Sequence, residues 1–405
     1  MSSFAFGTYR VTDLNPLHIE ALKEAIDSGI RLIDTSTNYM DGGAERAIAR
    51  ALESFDYEVR DAVKIVSKFG YIQGSLLAQH KQKPFEDVVE FSENCYHSIA
   101  KSFLKGQLDA SLKRLNCQKI DCYLIHNPEY FLYEALKKEM DRDDMLDKMY
   151  IRLYEAFVGL EEEVLAGRIN SYGISSNSFS KPHNHPEFLP YEDLLTLAQK
   201  AAQEVGNNSH SFTTIELPIN ILEQLGLKCA SWAKENGLRV LSNRPLNAQK
   251  GELMYRLADY DEPKEYYHAL NELLEISEND QLKNLYNLVE QLDINKHKYG
   301  WIGDYDSFLY GQILPHIKKA IENVHEDLLE TLLRYIDEFL TYYREMVAFE
   351  CAKQTHIQLK EEFSDCDKKL QECALEFLLE RDEIDYILVG MRKPSYVSEI
   401  MALNH

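Results

Sequence analysis

The chain has 405 residues, with 67 acidic side chains against 44 Lys and Arg, which gives a formal net charge of −23 at pH 7. Such an acidic surface repels phosphate backbones and anionic lipid, and so argues against nucleic-acid and membrane partners. No apolar run approaches the roughly 18 residues of a membrane span, and the first ten residues lack a signal-peptide pattern. The seven cysteines form no CxxC pair, which predicts reduced thiols and a cytoplasmic protein without a metal site.

Short apolar runs alternate with amphipathic stretches over the first 246 residues. Strands are predicted at 4–9, 31–35, 63–68, 120–125, 169–175, 212–217 and 238–242, and an eighth at 384–389. Helices are predicted at 16–28, 44–54, 94–115, 150–166, 191–205, 219–235, 370–380 and 395–401. Strict alternation implies a parallel sheet with right-handed crossovers. Eight units favour a closed (β/α)8 TIM barrel, and no GxGxxG motif follows the first strand to suggest an open dinucleotide-binding sheet.

Residues 251–365 interrupt the alternation. They show helical periodicity at 266–276, 282–292, 308–323 and 328–350, which is too long and too helical for a loop. We therefore predict a barrel domain of residues 1–250 and 366–405, with a helical insertion over 251–365 between strands 7 and 8. The aromatic side chains of the insertion either line a substrate surface or form its own core; they are Tyr266, Tyr267, Trp301, Tyr305, Phe308 and Tyr310.

Four polar residues fall at successive predicted strand ends. Asp34 ends strand 2 and Tyr39 lies in the following loop, while Lys68 ends strand 3 and His126 follows strand 4. Active sites of such barrels lie at the C-terminal strand ends, so these side chains are expected to converge on one mouth. Each residue taken singly also has an ordinary structural explanation. It is their joint placement that predicts a catalytic site.

The mixture of groups suits the reduction of a carbonyl by hydride transfer, which leaves an alkoxide that needs a proton. A free tyrosine has a pKa of about 10 and is a weak acid, but a lysine ammonium beside it lowers that pKa. Tyr39 is therefore the expected proton donor, with Lys68 beside it and Asp34 holding Lys68 charged. His126 is expected to donate to the carbonyl oxygen and orient it.

These segments resemble the aldo-keto reductase superfamily. Its Asp, Tyr, Lys and His tetrad appears here as GIRLIDTSTNYMDGGAE, VSKFG and IDCYLIHNPE. GRINSYGISSNSF is similar to the nicotinamide-binding strand 5 of that family, and ILVGMRKPSYV to its cofactor-phosphate segment after strand 8. The resemblance covers about residues 4–246 and 370–403 and leaves out the insertion. It implies an NADP-dependent oxidoreductase acting on an aldehyde, ketone or sugar.

The resemblance also implies residues for the cofactor. Asn177, with Ser176 beside it, is expected at the nicotinamide carboxamide, and Arg392 with Lys393 at the adenosine 2′-phosphate, which favours NADP over NAD. The full expected set is Ser176, Asn177, Glu216, Asn243, Arg244, Gly390, Arg392 and Lys393.

Two of these positions depart from the family pattern. Glu216 stands where a Gln is common, and a carboxylate accepts hydrogen bonds but cannot donate them. Asn243 stands where an aromatic ring often stacks on the nicotinamide, and Arg244 next to it is expected to reach the pyrophosphate instead.

A second hypothesis belongs to another class of function. In it, the barrel binds NADP as a regulatory ligand and the helical insertion docks a protein partner, with little turnover. The size of the insertion and the altered positions Glu216 and Asn243 motivate this alternative. The insertion is alternatively a lid over the substrate pocket.

Overall fold

The computed structural model describes residues 3–403. It divides into two compact units. The first contains the residues up to Pro245 together with those from Glu376 onward, and the second is Leu246–Leu375. The boundaries predicted for the two domains, at 250 and 366, stay a prediction.

A closed barrel of eight parallel strands forms the first unit. The strands are numbered here in chain order as β1 Phe4–Gly7, β2 Leu32–Asp34, β3 Lys64–Phe69, β4 Ile120–His126, β5 Ile169–Ser175, β6 Phe212–Pro218, β7 Arg239–Asn243 and β8 Tyr386–Val389. Each strand pairs with its neighbour in sequence, and β8 closes the barrel against β1. The prediction of a (β/α)8 barrel with a helical segment between β7 and β8 is confirmed.

Helices follow the barrel strands, and their starts show why the chain changes from strand to helix. The first begins at Pro16, whose fixed φ suits the first helical turn, and the Asn15 side chain accepts a hydrogen bond from the Leu17 amide. The helices of this unit are Pro16–Asp27, Gly43–Leu52, Tyr57–Ala62, Gly74–Gln82, Lys101–Leu115, Tyr130–Lys137, Arg142–Leu165, Leu194–Val205, Gly226–Glu235 and Pro394–Met401. The helix Leu370–Leu379 spans the boundary with the second unit.

A small antiparallel sheet lies between β3 and the helix Lys101–Leu115, where the sequence predicts helix from residue 94. Its strands are Tyr71–Ile72, Val89–Ser92 and Cys95–His97. The helix prediction is therefore wrong for residues 94–100. In this sheet Tyr96 pairs with Ile72, and His97 pairs with Tyr71. Such pairing between strands overrides a helical pattern in the sequence.

Helices dominate the second unit after a hairpin formed by Asn247–Lys250 and Leu253–Arg256. The helices are Glu265–Ser277, Lys283–Asn295, Ile302–Phe308, Leu314–Ala320 and Glu326–Gln358, with a short 3-10 turn at Lys296–Lys298 and a π turn at Leu309–Ile313. Of the six aromatic residues singled out from the sequence, Tyr266 and Tyr305 are buried in this unit's own core and Trp301 packs against that core. Tyr267, Phe308 and Tyr310 are exposed.

A disulfide joins Cys366 to Cys373 within the second unit. The expectation that all seven cysteines are reduced is therefore wrong for this pair. The helix that carries Cys373 begins at Leu370, so its first turn folds back beside the turn that holds Cys366. The other five cysteines are free thiols.

No helix among residues 3–403 is long and apolar enough to cross a membrane.

We predict that Gly173 in β5 tolerates no side chain. A Cβ at this position would lie 1.8 Å from the Thr214 carbonyl oxygen of β6, where the strand register shifts. Gly173→Ala should lower the free energy of unfolding by about 1–3 kcal/mol, because one strand must move away from the other. Urea denaturation measures this change.

Gly106 provides the matched control, since it lies exposed in the helix Lys101–Leu115 and a methyl group added there would point into open space. Gly106→Ala should raise the free energy of unfolding by roughly 0.5–1 kcal/mol, because alanine is the better helix former. Equal stabilities of the Gly173→Ala variant and the unmodified protein would contradict the tight strand contact.

Candidate active site

Side-chain alternation along the strands carries three polar groups to one end of the barrel. In β2, β3 and β4, a buried apolar residue in the barrel interior is followed two positions later by a polar residue on the same face. The pairs are Leu32 and Asp34, Val66 and Lys68, and Leu124 and His126. The strand pattern therefore stacks Asp34, Lys68 and His126 above the apolar layer, at the C-terminal mouth.

Lys68 is the centre of this group. Its side chain is fully buried, and its ammonium contacts the Asp34 carboxylate, the Glu216 carboxylate at 3.2 Å and the Thr35 carbonyl at 3.2 Å. Asp34 and Glu216 reach the ammonium from opposite sides of the barrel, since Asp34 ends β2 and Glu216 lies in β6. A buried ammonium needs such partners because transfer out of water costs several kcal/mol.

Tyr39 lies over the Lys68 ammonium, with Nζ 5.4 Å from its ring centroid. The loop that carries it leaves β2 and is tied to β3, because the Thr37 amide donates to the Lys68 carbonyl. The Tyr39 ring stands edge-on to His126, at 5.9 Å between centroids, and edge-on to Tyr9 at 5.3 Å. The structure thus brings together all four residues of the tetrad predicted from the sequence.

The pKa values show which of these groups carry protons. Burial disfavours the charged form of Lys68, but Asp34 and Glu216 outweigh that effect and raise its pKa. Burial, with the charge of Glu216, raises the pKa of Asp34 well above its usual range despite Lys68. Burial also raises the pKa of Tyr39, against the lowering effect of Lys68. Tyr39 therefore holds its proton at neutral pH, while the two carboxyl groups compete for one ammonium.

The lysine does lower the Tyr39 pKa, as the sequence predicts, but this effect is smaller than that of burial. His126 has its pKa lowered well below the usual range by burial, and then by Lys68 and His97, so it is neutral. Its Nδ1 lies 3.0 Å from the Ser36 hydroxyl. Its backbone carbonyl contacts the His97 ring at 2.6 Å.

Glu216 and Asn243 form one hydrogen-bonded unit beside Lys68. Glu216 Oε1 accepts from the Ser175 hydroxyl and from Asn243 Nδ2, both at 3.0 Å. Glu216 Oε2 is the atom that faces the Lys68 ammonium, whereas Asn243 Oδ1 is buried without a hydrogen-bond donor. A carboxamide NH2 supplies the N–H donor that Asn243 Oδ1 lacks, so this residue fits the amide end of a nicotinamide.

Ser176 and Asn177 follow β5 and are held by Glu129. The Glu129 carboxyl accepts from the Ser176 hydroxyl at 2.8 Å and from the Asn177 amide at 2.9 Å. The Asn177 side chain itself has no hydrogen-bond partner within residues 3–403, and it is only half-buried. Glu129 therefore fixes the backbone of this turn. The side-chain amide of Asn177 remains available to a ligand.

The other residues predicted to bind the cofactor lie outside the tetrad. The Arg244 guanidinium pairs with Glu223 at 2.6 Å. Burial, and after it the charge of the nearby Arg392, lowers the pKa of His18. Lys393 is the residue before the helix Pro394–Met401. A Cβ at Gly390 would meet nothing nearer than the Gly7 carbonyl at 3.8 Å, so protein packing alone does not require glycine there.

Glu129 and Ser36 are functional candidates that the sequence analysis missed. Glu129 is fully buried, and it lies in HNPEY, three residues after the predicted histidine. Ser36 lies within DTSTNY, between two of the predicted catalytic residues. Proximity to the tetrad in sequence was the available signal. Their contacts to Asn177 and His126 depend on how separate strands meet, and no local pattern encodes that.

We predict that Glu129 makes stability depend on pH between about 4.5 and 7. Burial is the main reason that its pKa rises from 4.5 to about 7, against the hydrogen bonds from Ser176 and Asn177. In that window the folded protein keeps a proton that the unfolded chain has released, so the free energy of unfolding falls as pH rises. The loss should be about 2–3 kcal/mol at roughly 1.4 kcal/mol per pKa unit.

Thermal unfolding from pH 4 to 8 measures this effect by comparison with Glu129→Gln, which retains an acceptor for the Asn177 amide but does not titrate. The difference between the two proteins should change across the window. Glu155→Gln, on the exposed face of the helix Arg142–Leu165, is the control and should follow the unmodified protein. Parallel profiles for Glu129→Gln and the unmodified protein would exclude the titration.

Comparisons find known proteins that are similar to this chain. Residues 4–184 match the model of the Aldo/keto reductase family. A methylglyoxal reductase of Escherichia coli, YeaE, is 25% identical over 258 residues, which span 62% of this chain and 66% of that enzyme. The glycerol dehydrogenase AKR11B4 of Gluconobacter oxydans has a TM-score of 0.51 at 16% identity, covering 100% of this chain and 87% of its own. The aldo-keto reductase AKR11C1 of Bacillus halodurans has a TM-score of 0.49 at 16% identity, covering 99% and 86%.

These likenesses give no support to the alternative of a scaffold protein. The likeness to the Gluconobacter structure is one of fold, and the family match covers β1 to β5, which carry the four tetrad residues. Over residues 4–184, this chain is therefore similar to the Aldo/keto reductase family.

Proposed function

We propose that the protein is an NADP(H)-dependent oxidoreductase that interconverts a carbonyl compound and its alcohol, with Tyr39 as general acid and base. The observation that carries the proposal is the fully buried Lys68 ammonium, held by Asp34 and placed against Tyr39 at the C-terminal mouth of the barrel. A buried lysine that only stabilised the fold would need no tyrosine over its ammonium. NADPH, when bound, supplies the hydride that reduces the carbonyl carbon.

Tyr39 gives its proton to the carbonyl oxygen as negative charge develops there. Because burial keeps its pKa above the usual range, the phenol is protonated before the reaction, as an acid must be. The resulting phenolate is stabilised by the Lys68 ammonium on which the ring lies. In the direction of alcohol oxidation the same phenolate takes up the proton. Asp34 and Glu216 keep Lys68 charged throughout, because both raise its pKa.

The carboxamide of the cofactor fits the acceptors on β6 and β7. Asn243 Oδ1 is buried without a donor, Glu216 lies hydrogen-bonded beside it, and the half-buried Asn177 side chain lies after β5. The adenosine 2′-phosphate fits the basic segment after β8, where Arg392 and Lys393 precede the helix Pro394–Met401. A helix start adds exposed backbone N–H groups, which favour an anion. In a chain with a net charge of −23, this local positive charge supports NADP rather than NAD.

We predict that Tyr39→Phe abolishes most of the carbonyl reduction. The variant keeps the ring over Lys68 but has no proton to give, so kcat should fall by on the order of 10²–10⁴. NADPH consumption is measured against a panel of aldehydes and ketones that includes methylglyoxal, the compound named for the Escherichia coli relative. NADPH binding, followed by its fluorescence, should change little.

Tyr9→Phe is the matched control for this substitution, because the Tyr9 ring contacts Tyr39 but its hydroxyl has no role in the proposal. It should retain activity within about threefold. Unchanged turnover in Tyr39→Phe would remove Tyr39 from the mechanism, and absence of turnover in the unmodified protein would overturn the proposed function.

We predict that Arg392→Met weakens NADPH binding but not NADH binding. Loss of a charge-assisted contact to the 2′-phosphate costs about 1.5–3 kcal/mol, so the Kd for NADPH should rise by roughly 10- to 100-fold. Fluorescence titration with both cofactors measures the two constants. Lys228→Met removes an exposed lysine elsewhere on the barrel unit and should leave both constants unchanged. An equal effect of Arg392→Met on NADPH and NADH would exclude the phosphate contact.

A further inference from the structure

The His126 carbonyl lies at a point where the barrel supports the chain on one side only. On the β5 side, the pairing of β4 continues to His126, which lies opposite Ser175. On the β3 side, it ends one residue earlier, at Ile125 opposite Phe69. The chain then leaves the strand, since Asn127 has a φ of 50°, which is uncommon outside glycine. The β3 side of His126 is therefore completed by another segment.

His97 fills the place that β3 leaves. Its Nε2 lies 2.6 Å from the His126 carbonyl oxygen, and its side chain is completely buried. A carbonyl oxygen can only accept, so Nε2 carries the hydrogen of this contact. Burial is the main reason that the pKa of His97 falls to about 3, against the raising effect of the His126 carbonyl. His97 is therefore a neutral donor at physiological pH.

Gly70 leaves the space in which this hydrogen bond forms. Its φ of 148° favours glycine, and a Cβ there would lie 2.5 Å from His97 Nε2 and 2.8 Å from the His126 carbonyl oxygen. The next residue, Tyr71, pairs with His97 in the small sheet, and the Ser98 amide donates to the Gly70 carbonyl at 2.9 Å. The chain that leaves β3 thus turns at Gly70 and brings the small sheet onto the His126 carbonyl.

Two tyrosine rings hold the His97 ring in this place. The Tyr71 ring stands edge-on to it at 5.9 Å between centroids, and the Tyr130 ring at 5.5 Å. The Tyr71 hydroxyl donates to the Tyr130 hydroxyl at 2.9 Å, which ties the two rings together. The Tyr71 ring is also edge-on to the His126 ring at 4.7 Å. The direction of the His97 N–H is therefore fixed by packing.

We infer that His97 is a positioning residue for His126: its Nε2–H holds the His126 carbonyl and thereby fixes the place of the His126 imidazole in the mouth of the barrel. The imidazole moves with the backbone that carries it. Ser36 contacts the ring itself, at 3.0 Å from Nδ1, whereas His97 acts on the peptide that follows. The effect of His97 on turnover rests on the proposed function, and the hydrogen bond does not.

Removal of the His97 donor should lower kcat. A buried carbonyl left without a donor is unfavourable, so the peptide turns toward another donor and carries the imidazole with it. His97→Leu fills about the same space without an N–H, and we expect kcat to fall by roughly 10- to 100-fold, as for a displacement of about 1 Å. The Kd for NADPH should change by less than about twofold. Both constants are measured as for Tyr39→Phe.

His97→Gln is the rescuing variant, because its side-chain amide offers an N–H at a similar reach. It should keep kcat within about fivefold of the unmodified protein. Val89→Ala is the control for the fold, since Val89 is buried and pairs with His97 in the small sheet. It should lower the unfolding temperature and keep kcat within about threefold. A kcat in His97→Gln as low as in His97→Leu, or an equal fall in Val89→Ala, would reduce His97 to a structural role.

A double-mutant cycle with His126→Ala tests whether His97 acts through His126. With the imidazole removed, His97→Leu should lower the remaining kcat by less than about twofold. The same fold loss in both backgrounds would overturn the inference. If His126→Ala has no measurable turnover, the comparison of His97→Gln with His97→Leu decides.

The hydrogen bond is measured without turnover, on the ligand-free protein, by ¹⁵N NMR of selectively labelled histidine at pH 7. The couplings of each ring nitrogen to the carbon-bound ring protons identify the protonated nitrogen, and His97→Leu assigns the signal. We expect a neutral His97 with its hydrogen on Nε2, and a hydrogen on Nδ1 alone would contradict the contact with His126. Failure to reduce any carbonyl would overturn the proposed function, and the NMR result would still decide the contact.

Discussion

A lysine ammonium enclosed by the barrel is the constraint on which the site depends. Taken out of water without partners, a charge of this size costs several kcal/mol, so Lys68 obliges the surrounding strands to supply negative charge. Asp34 arrives from β2 and Glu216 from β6, and only a closed barrel brings those two strands to opposite sides of a residue on β3. The closed barrel is therefore what supplies the negative charge that the buried ammonium at the mouth requires.

Glu216, the second carboxylate, changes the balance of charge around Lys68. Two acidic groups and one ammonium leave an excess negative charge in a dry site, and burial together with the charge of Glu216 raises the pKa of Asp34. An amide at position 216 would make no such demand. Glu216 also links Lys68 to the residues proposed to hold the carboxamide, because it accepts hydrogen bonds from Ser175 and Asn243.

Much of the barrel could be predicted from the sequence because its signals are local. A residue such as Asp34 ends an apolar run whose alternation is visible in the chain, and the same holds for Lys68 and His126. The small sheet at Tyr71–His97 escaped prediction because its strands are short and gain their stability from pairing with one another. The Cys366–Cys373 disulfide was missed because residues seven apart meet only through a turn that no spacing rule specifies. The contacts of His126 come from side chains on separate segments, such as Ser36 and His97, and so lie beyond any linear pattern.

The small sheet between β3 and the helix Lys101–Leu115 has a consequence for how such a site can diverge. It is an excursion from the barrel, and its three strands pair with one another and not with the eight barrel strands. Through Gln73, which contacts Asn38, and through His97, which contacts the His126 carbonyl, it nevertheless reaches the residues at the mouth. A change in this excursion can therefore move side chains at the mouth without breaking a hydrogen bond between barrel strands, so the segment can vary in sequence while the barrel stays closed.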